Sequence, residues 1–185
     1  MGAGPRSALG AGRSDVGQTA GMSVAVLLGS SSDAPIMDDA VQILRRFDVP
    51  VEIRVLSAHR TPDDVLTFAR GAAGSGIEVI IAAAGGAAHL AGLAASATPL
   101  PVIGVPVALG NLDGLDSLLS TVQMPKGVPV ATVAVDGAHN AGLLAIRILA
   151  LSDERLSAEL AGFIADQADE VRDMDAEVVA HYRDT

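Results

Sequence analysis

The chain has 185 residues, half of them apolar, with 2% aromatic residues, a formal charge of -10 and no cysteine. That length holds one domain with a proper core. The acidity excludes a binder of phosphate backbones, the shortage of aromatics excludes a base-stacking reader of single strands, and the missing thiols exclude disulfides, thiolate catalysis and zinc–thiolate sites.

Residues 1–21 are rich in Gly, Ala, Arg and Ser and have no apolar core region. They read as a disordered N-terminal extension rather than a secretory signal, with Met22 a candidate natural start. Met1-Gly2 opens like a myristoylation site, but Arg6 stands where Ser or Thr is needed. No apolar stretch reaches membrane-spanning length without Gly, Pro or polar interruption. The apolar run over residues 23–28 predicts a strand. A helix follows over 35–47, with Ile36, Ala40, Val41, Ile43 and Leu44 on one stripe, Ser32 and Asp33 as caps and Pro35 in its first turn. Residues 51–56 predict strand two. Thr61-Pro62-Asp63-Asp64 resembles a capping box that opens a helix running to about Gly74. Residues 77–84 are almost wholly apolar and predict a central strand. A short helix of small residues over 89–97 ends at Thr98-Pro99, and strand four spans 101–105. A loop over 108–114, a helix over 115–122 and strand five over 130–135 come next.

The helix predicted over 140–151 is apolar almost all round, which marks burial on several sides. The long helix over 153–182 carries Leu156, Leu160, Phe163, Ile164, Val171, Met174 and Val178 at helical spacing, among most of the chain's acidic excess. Strands alternating with helices give an α/β fold: three layers, flavodoxin-like, with five parallel strands in the order 2-1-3-4-5. Residues 22–152 are expected to form one α/β domain, the catalytic one if the chain is an enzyme. Residues 153–185 form a C-terminal helix whose apolar stripe asks for a neighbouring subunit.

Three polar segments sit directly behind strands, at the sheet edge where open α/β folds bind ligands. Gly29-Ser30-Ser31-Ser32-Asp33 combines a close backbone approach, hydroxyls and a helix N-terminus suited to an anion, while Asp33 suits ribose hydroxyls. Ser57-Ala58-His59-Arg60-Thr61-Pro62 carries an imidazole suited to proton transfer and a guanidinium fork matched to phosphate or carboxylate. Gly85-Gly86-Ala87-Ala88-His89 brings backbone N–H groups against a flat ligand. Each has a plainer reading: a helix cap for the first, a solvent-facing loop histidine for His59, tight helix–strand packing for the glycines. His59, His89 and His139 lack metal-ligand spacing, so no metal is expected. There is no Walker A, no G-x-G-x-x-G and no G-x-S-x-G elbow.

Taken with Gln123-Met124-Pro125 and Asn140-Ala141-x-Leu143-Leu144-Ala145, these segments resemble the PurE family of purine biosynthesis over about Val24 to Ser152. Arg60 and the Gly-Gly-Ala-Ala-His stretch are similar to the class I enzymes, the 5-(carboxyamino)imidazole ribonucleotide mutases. Ala91 stands where that family has Pro. The resemblance implies that a carboxylate moves from the exocyclic nitrogen to carbon 4 of aminoimidazole ribonucleotide, with no ATP, biotin or metal. It implies His59 as the acid/base. Ser30 and Arg60 would hold anionic groups, and Asp33 the ribose. Ser32 and Ser57 would support the site, and Gly85, Gly86 and His89 would line the pocket. It also implies a cytoplasmic homo-oligomer, an octamer, with a small ribotide as substrate and neither nucleic acid nor membrane as partner. The alternatives are a class II carboxylase using free carbon dioxide, or a non-catalytic flavodoxin-like binder of nucleotide or flavin.

Overall fold

In the computed structural model, residues 23–110 and 112–183 are described; the expectations for residues 1–21 and Met22 lie outside them. Five parallel strands form one sheet in the order β2-β1-β3-β4-β5, as the alternation of elements predicts. They are β1 (Ser23–Leu28), β2 (Val51–Val55), β3 (Ile77–Gly85), β4 (Val102–Val107) and β5 (Ala131–Thr132). β3 lies between β1 and β4, and its Val79, Ile80, Ile81, Ala82 and Ala83 are buried. An uninterrupted apolar run forms such a strand because both of its faces are covered.

One face is covered by α1 (Ala34–Arg46), α5 (Ala138–Leu149) and the start of α6 (Glu154–Arg183). The other carries α2 (Pro62–Gly71), α3 (Leu90–Ala95) and α4 (Leu115–Val122). Small residues set how near neighbouring helices come. A Cβ built on Gly142 of α5 would lie 2.3 Å from Ile43 Cγ2 of α1, so only glycine lets the two helices cross at this distance. Much of the apolar surface of α5 is thus covered within the chain, by α1, the sheet and α6.

Several local features differ from the sequence reading. A 3-10 turn, Ser31–Asp33, precedes α1; Ser30 rather than Ser32 caps that turn, in a reciprocal capping box with Asp33, and Asp33 stands at the N-cap of α1 without a side-chain bond to it. α2 ends at Gly71 and gives way to a 3-10 turn, Ala73–Ser75, because Gly71, Gly74 and Gly76 are poor helix formers. The Thr61 side chain does not cap α2; its hydroxyl bonds Ser57. β4 runs on through Pro106. The Pro106 carbonyl accepts from Asp136 N–H at 2.9 Å, so the side that lacks a donor faces beyond the end of β5. β5 shrinks to Ala131–Thr132; after it the chain follows β4 irregularly, with Val133 N–H on the Gly104 carbonyl and Asp136, a non-glycine at φ 55°, on that of Pro106.

The long helix divides into two stretches. Leu156 and Phe163 are buried, Leu160 is partly buried, and the Phe163 ring meets Phe47 edge-on at 5.8 Å. Arg155 Nη1 donates to the Phe47 carbonyl at 3.1 Å, and its hydrogen bond to Glu159 raises the guanidinium pKa. From Ile164 onward the large apolar residues are exposed, Val171 at 63% and Met174 at 59%. Among the described residues no helix is long and apolar enough to cross a membrane.

Candidate functional site

The polar loops behind β1, β2 and β3 meet at one edge of the sheet because those strands are neighbours. In the first loop Gly29 N–H donates to the Ala83 carbonyl at 3.0 Å, tying the loop to β3. Ser30 N–H donates to Asp33 Oδ2 at 3.0 Å, and Ser32 N–H donates to Ser30 Oγ at 3.3 Å. The Ser32 hydroxyl lies 2.9 Å from Ser30 Oγ and 3.3 Å from Asp33 Oδ1. Asp33 is only 4% exposed, so its carboxylate is held by donors rather than by water.

The second loop is organised by Ser57. Its Oγ accepts from Arg60 N–H at 3.2 Å and from Arg60 Nε at 3.3 Å. Arg60 Nη2 then reaches across to donate to the Gly29 carbonyl at 3.3 Å. A guanidinium has five N–H groups, and those two side-chain bonds use two of them. The fork therefore ties the first two loops together and keeps donors for an anion.

The third loop turns at Gly86, whose φ of 65° favours glycine. Ala88 N–H donates to the Gly86 carbonyl and His89 N–H to the Ala87 carbonyl, both at 2.9 Å. This tight turn sets His89 beside His59 from the second loop. His59 Nε2 and His89 Nδ1 lie 2.8 Å apart with rings nearly perpendicular at 80°, and one of the two nitrogens carries the shared proton. Both histidines are exposed.

A cleft of about 210 Å³ opens between the loops. Ser30, Ser32, Asp33, Ser57, His59, Arg60 and Gly85 line it, while Gly86 and His89 stand directly beside it. Sequence reasoning missed Leu109, which reaches in from the loop after β4 and packs over Gly85, and Leu90 at the start of α3. It also missed Ser117, read only as a helix residue. Its buried hydroxyl accepts from Gly86 N–H at 2.8 Å and donates to the Val107 carbonyl at 2.7 Å. No local motif marks these residues: Leu109 meets Gly85 from 24 positions away, and Ser117 bonds Gly86 from 31.

A larger, open depression of about 580 Å³ runs along β2 and α2, past Glu52, Arg54 and Phe68. It holds none of the loop side chains named above, so chemistry rather than size makes the smaller cleft the candidate site. No phenylalanine lines the cleft: Phe47 and Phe163 pack on each other, and Phe68 lies under Arg54. A stacked flavin would find no aromatic platform in it. Among the described residues no group of three or more His, Cys, Asp or Glu could hold a metal ion.

The family model described as AIR carboxylase matches residues 23–170. The N5-carboxyaminoimidazole ribonucleotide mutase of Mycobacterium tuberculosis (strain ATCC 25618 / H37Rv) is 61% identical over 155 residues, which is 84% of this chain and 89% of that protein. The protein of the same name from Saccharolobus solfataricus is 57% identical over 148 residues, covering 80% of this chain and 94% of its own length. Among solved structures, that of Treponema denticola PurE superposes with a TM-score of 0.77 at 28% identity, over 83% of this chain and 96% of that one.

Proposed function

The chain belongs to the AIR carboxylase family, and from that premise we propose that it is an N5-carboxyaminoimidazole ribonucleotide mutase. It moves a carboxylate from the exocyclic nitrogen to carbon 4 of aminoimidazole ribonucleotide. The observation that carries this reading is the 61% identity, over 84% of the chain, to a relative bearing that name. The class I features in the sequence, Arg60 and Gly85-Gly86-Ala87-Ala88-His89, agree with it.

The chemistry needs one proton delivered and one removed. Protonation of the carbamate nitrogen breaks its bond to the carboxyl carbon and releases carbon dioxide. Carbon 4 of the ring then attacks that carbon dioxide, and its proton leaves to a base. The sum is an isomerisation, and a single acid/base ends as it began. His59 is the group for both transfers. Its Nε2 is engaged with His89, which leaves Nδ1 for the substrate. Ser30 and Arg60 bind the anionic groups of the ribotide, and Asp33 the ribose hydroxyls. Ser32 and Ser57 brace those side chains, while Gly85, Gly86 and His89 form the wall behind the reacting carbon. The rate gain comes from holding carbon dioxide beside carbon 4 and from excluding water. The scheme uses no nucleotide, biotin or metal.

His59 and His89 are exposed in the single chain, and so is the apolar stripe of α6 after Phe163. Both favour a working form made of several copies, and the family resemblance supports an octamer acting in the cytoplasm. Residues 22–152 act as the catalytic domain in that assembly. The distal part of the C-terminal helix in 153–185 packs on a neighbouring subunit.

Assaying ribotide interconversion with and without bicarbonate tests the function. Turnover of the carboxyamino ribotide without bicarbonate is the expected result. Consumption of aminoimidazole ribonucleotide only when bicarbonate is supplied assigns the class II carboxylation instead. Failure of both reactions removes the enzymatic reading.

A further inference from the structure

The two hydrogen bonds inside the Gly85–His89 turn close it but do not fix where it stands against the rest of the cleft. Gly86 sits at φ 65°, a basin that glycine enters and leaves at little cost. What anchors it comes from α4. Ser117 of α4 is fully buried, and its hydroxyl is used in both directions, accepting from Gly86 N–H at 2.8 Å and donating to the Val107 carbonyl at 2.7 Å. One turn further along α4, Ser120 Oγ donates to the Gly86 carbonyl at 3.3 Å. Both polar groups of the Gly86 backbone are therefore held by serines of one helix. That helix is itself seated firmly: Thr121 Oγ1 donates to the Ser117 carbonyl at 2.8 Å, and the Thr121 methyl fills the space left by Gly104 of β4. Three residues beyond Gly86 comes His89, whose Nδ1 meets His59 Nε2 at 2.8 Å.

We infer that Ser117 is a positioning residue for the His59–His89 pair, acting through Gly86; the inference rests on the cleft being the reaction site proposed above. The geometry separates this role from simple support of the fold. Ser30, Asp33 and Arg60, assigned to the ribotide, stand on the other two loops and make no bond to Ser117. Loosening the Gly86 turn shifts His89 away from its contact with His59 and leaves those groups in place. Binding survives while the proton-transfer step suffers. A misplacement of about 1 Å in reacting groups costs on the order of 100-fold in rate.

The test uses the full-length chain with Ser117→Ala and Ser117→Cys, the second keeping a weaker donor of similar size. Nitrogen-15 magic-angle-spinning NMR of the substrate-free protein reads the ring nitrogens of His59 and His89, assigned with single histidine variants. Wild type shows one fixed tautomer for the paired nitrogens. Ser117→Ala is expected to shift them to averaged values, to lower kcat on the order of 100-fold and to hold KM within about twofold. Ser117→Cys falls between. Should the alanine variant fail to fold, the cysteine variant decides: weakened pairing supports the inference and unchanged pairing overturns it. A wild-type tautomer signature in Ser117→Ala also overturns it, as does a rise in KM equal to the fall in kcat. The NMR measurement needs no substrate. A wild-type protein that turns over no ribotide removes the proposed function, and the pairing result judges Ser117 separately.

Discussion

Replacing Gly85 by alanine probes how closely Leu109 defines the cleft. A Cβ at Gly85 would lie 2.8 Å from Leu109 Cγ, 2.9 Å from Cδ1 and 3.1 Å from Cδ2. Carbon atoms rest about 3.5–4.0 Å apart, so the leucine must retreat by about 1 Å. Gly85 is not among the positive-φ residues, so its backbone accepts alanine. Leu109 is 48% exposed and has room to swing outward. The cost is that of a displaced rotamer, about 0.5–1.5 kcal/mol, which lowers Tm by about 1–6 °C in a chain of this size. The effect on catalysis is larger, because the wall of the cleft has moved: kcat/KM should fall by about tenfold to 100-fold. Leu109→Ala removes all three clashing atoms. The double variant Gly85→Ala, Leu109→Ala should then be no slower than Leu109→Ala alone. Steady-state kinetics of the four proteins, with thermal melts at one protomer concentration, complete the cycle. Wild-type kinetics for Gly85→Ala, or losses that simply add in the double variant, would refute the packing argument.

His59→Asn should fold normally and lose about 100- to 10,000-fold in turnover; a rate within about threefold of wild type takes the imidazole out of the mechanism. Arg60→Lys cannot keep both the Ser57 Oγ and the Gly29 carbonyl contacts from one ammonium. We expect weaker ribotide binding by about 1.5–3 kcal/mol, read as KM, and an unchanged KM would place the guanidinium outside the binding site. Gly142→Ala drives a methyl to 2.3 Å from Ile43 Cγ2 and 3.1 Å from the Ala40 carbonyl. Overpacking of this kind costs about 1–3 kcal/mol, so Tm should drop by several degrees, and a stabilised variant would mean that α1 and α5 separate freely. Ending the chain after Gln167 keeps the buried Leu156 and Phe163 but removes Val171, Met174 and Val178. Light scattering should then show a smaller assembly with the domain still folded, and an unchanged assembly would place the subunit contact elsewhere.

Much of the fold was legible in the residues because it depends on short-range patterns. Apolar runs alternating with helical stripes specify parallel strands and their crossovers, and the handedness of those crossovers limits the strand order. The three polar loops were legible for the same reason: each is a short stretch of small, hydroxylic and ionisable residues behind an apolar run. Strand ends and caps were less so. β4 continues through Pro106 because of where β5 stops, and Ser30 caps in place of Ser32 because Asp33 can reach back to its N–H. The periodicity of α6 marked its apolar residues, yet only packing decides that Leu156 and Phe163 are buried while Val171 and Met174 are exposed. The pairing of His59 with His89 joins residues 30 positions apart, and the Ser117 bond to Gly86 joins residues 31 apart. Such contacts are set by how layers stack on the sheet, which no local pattern of side chains encodes. The polar groups of the cleft were therefore written in the sequence, while its apolar wall at Leu109 and Leu90 and its geometry were decided by the tertiary structure.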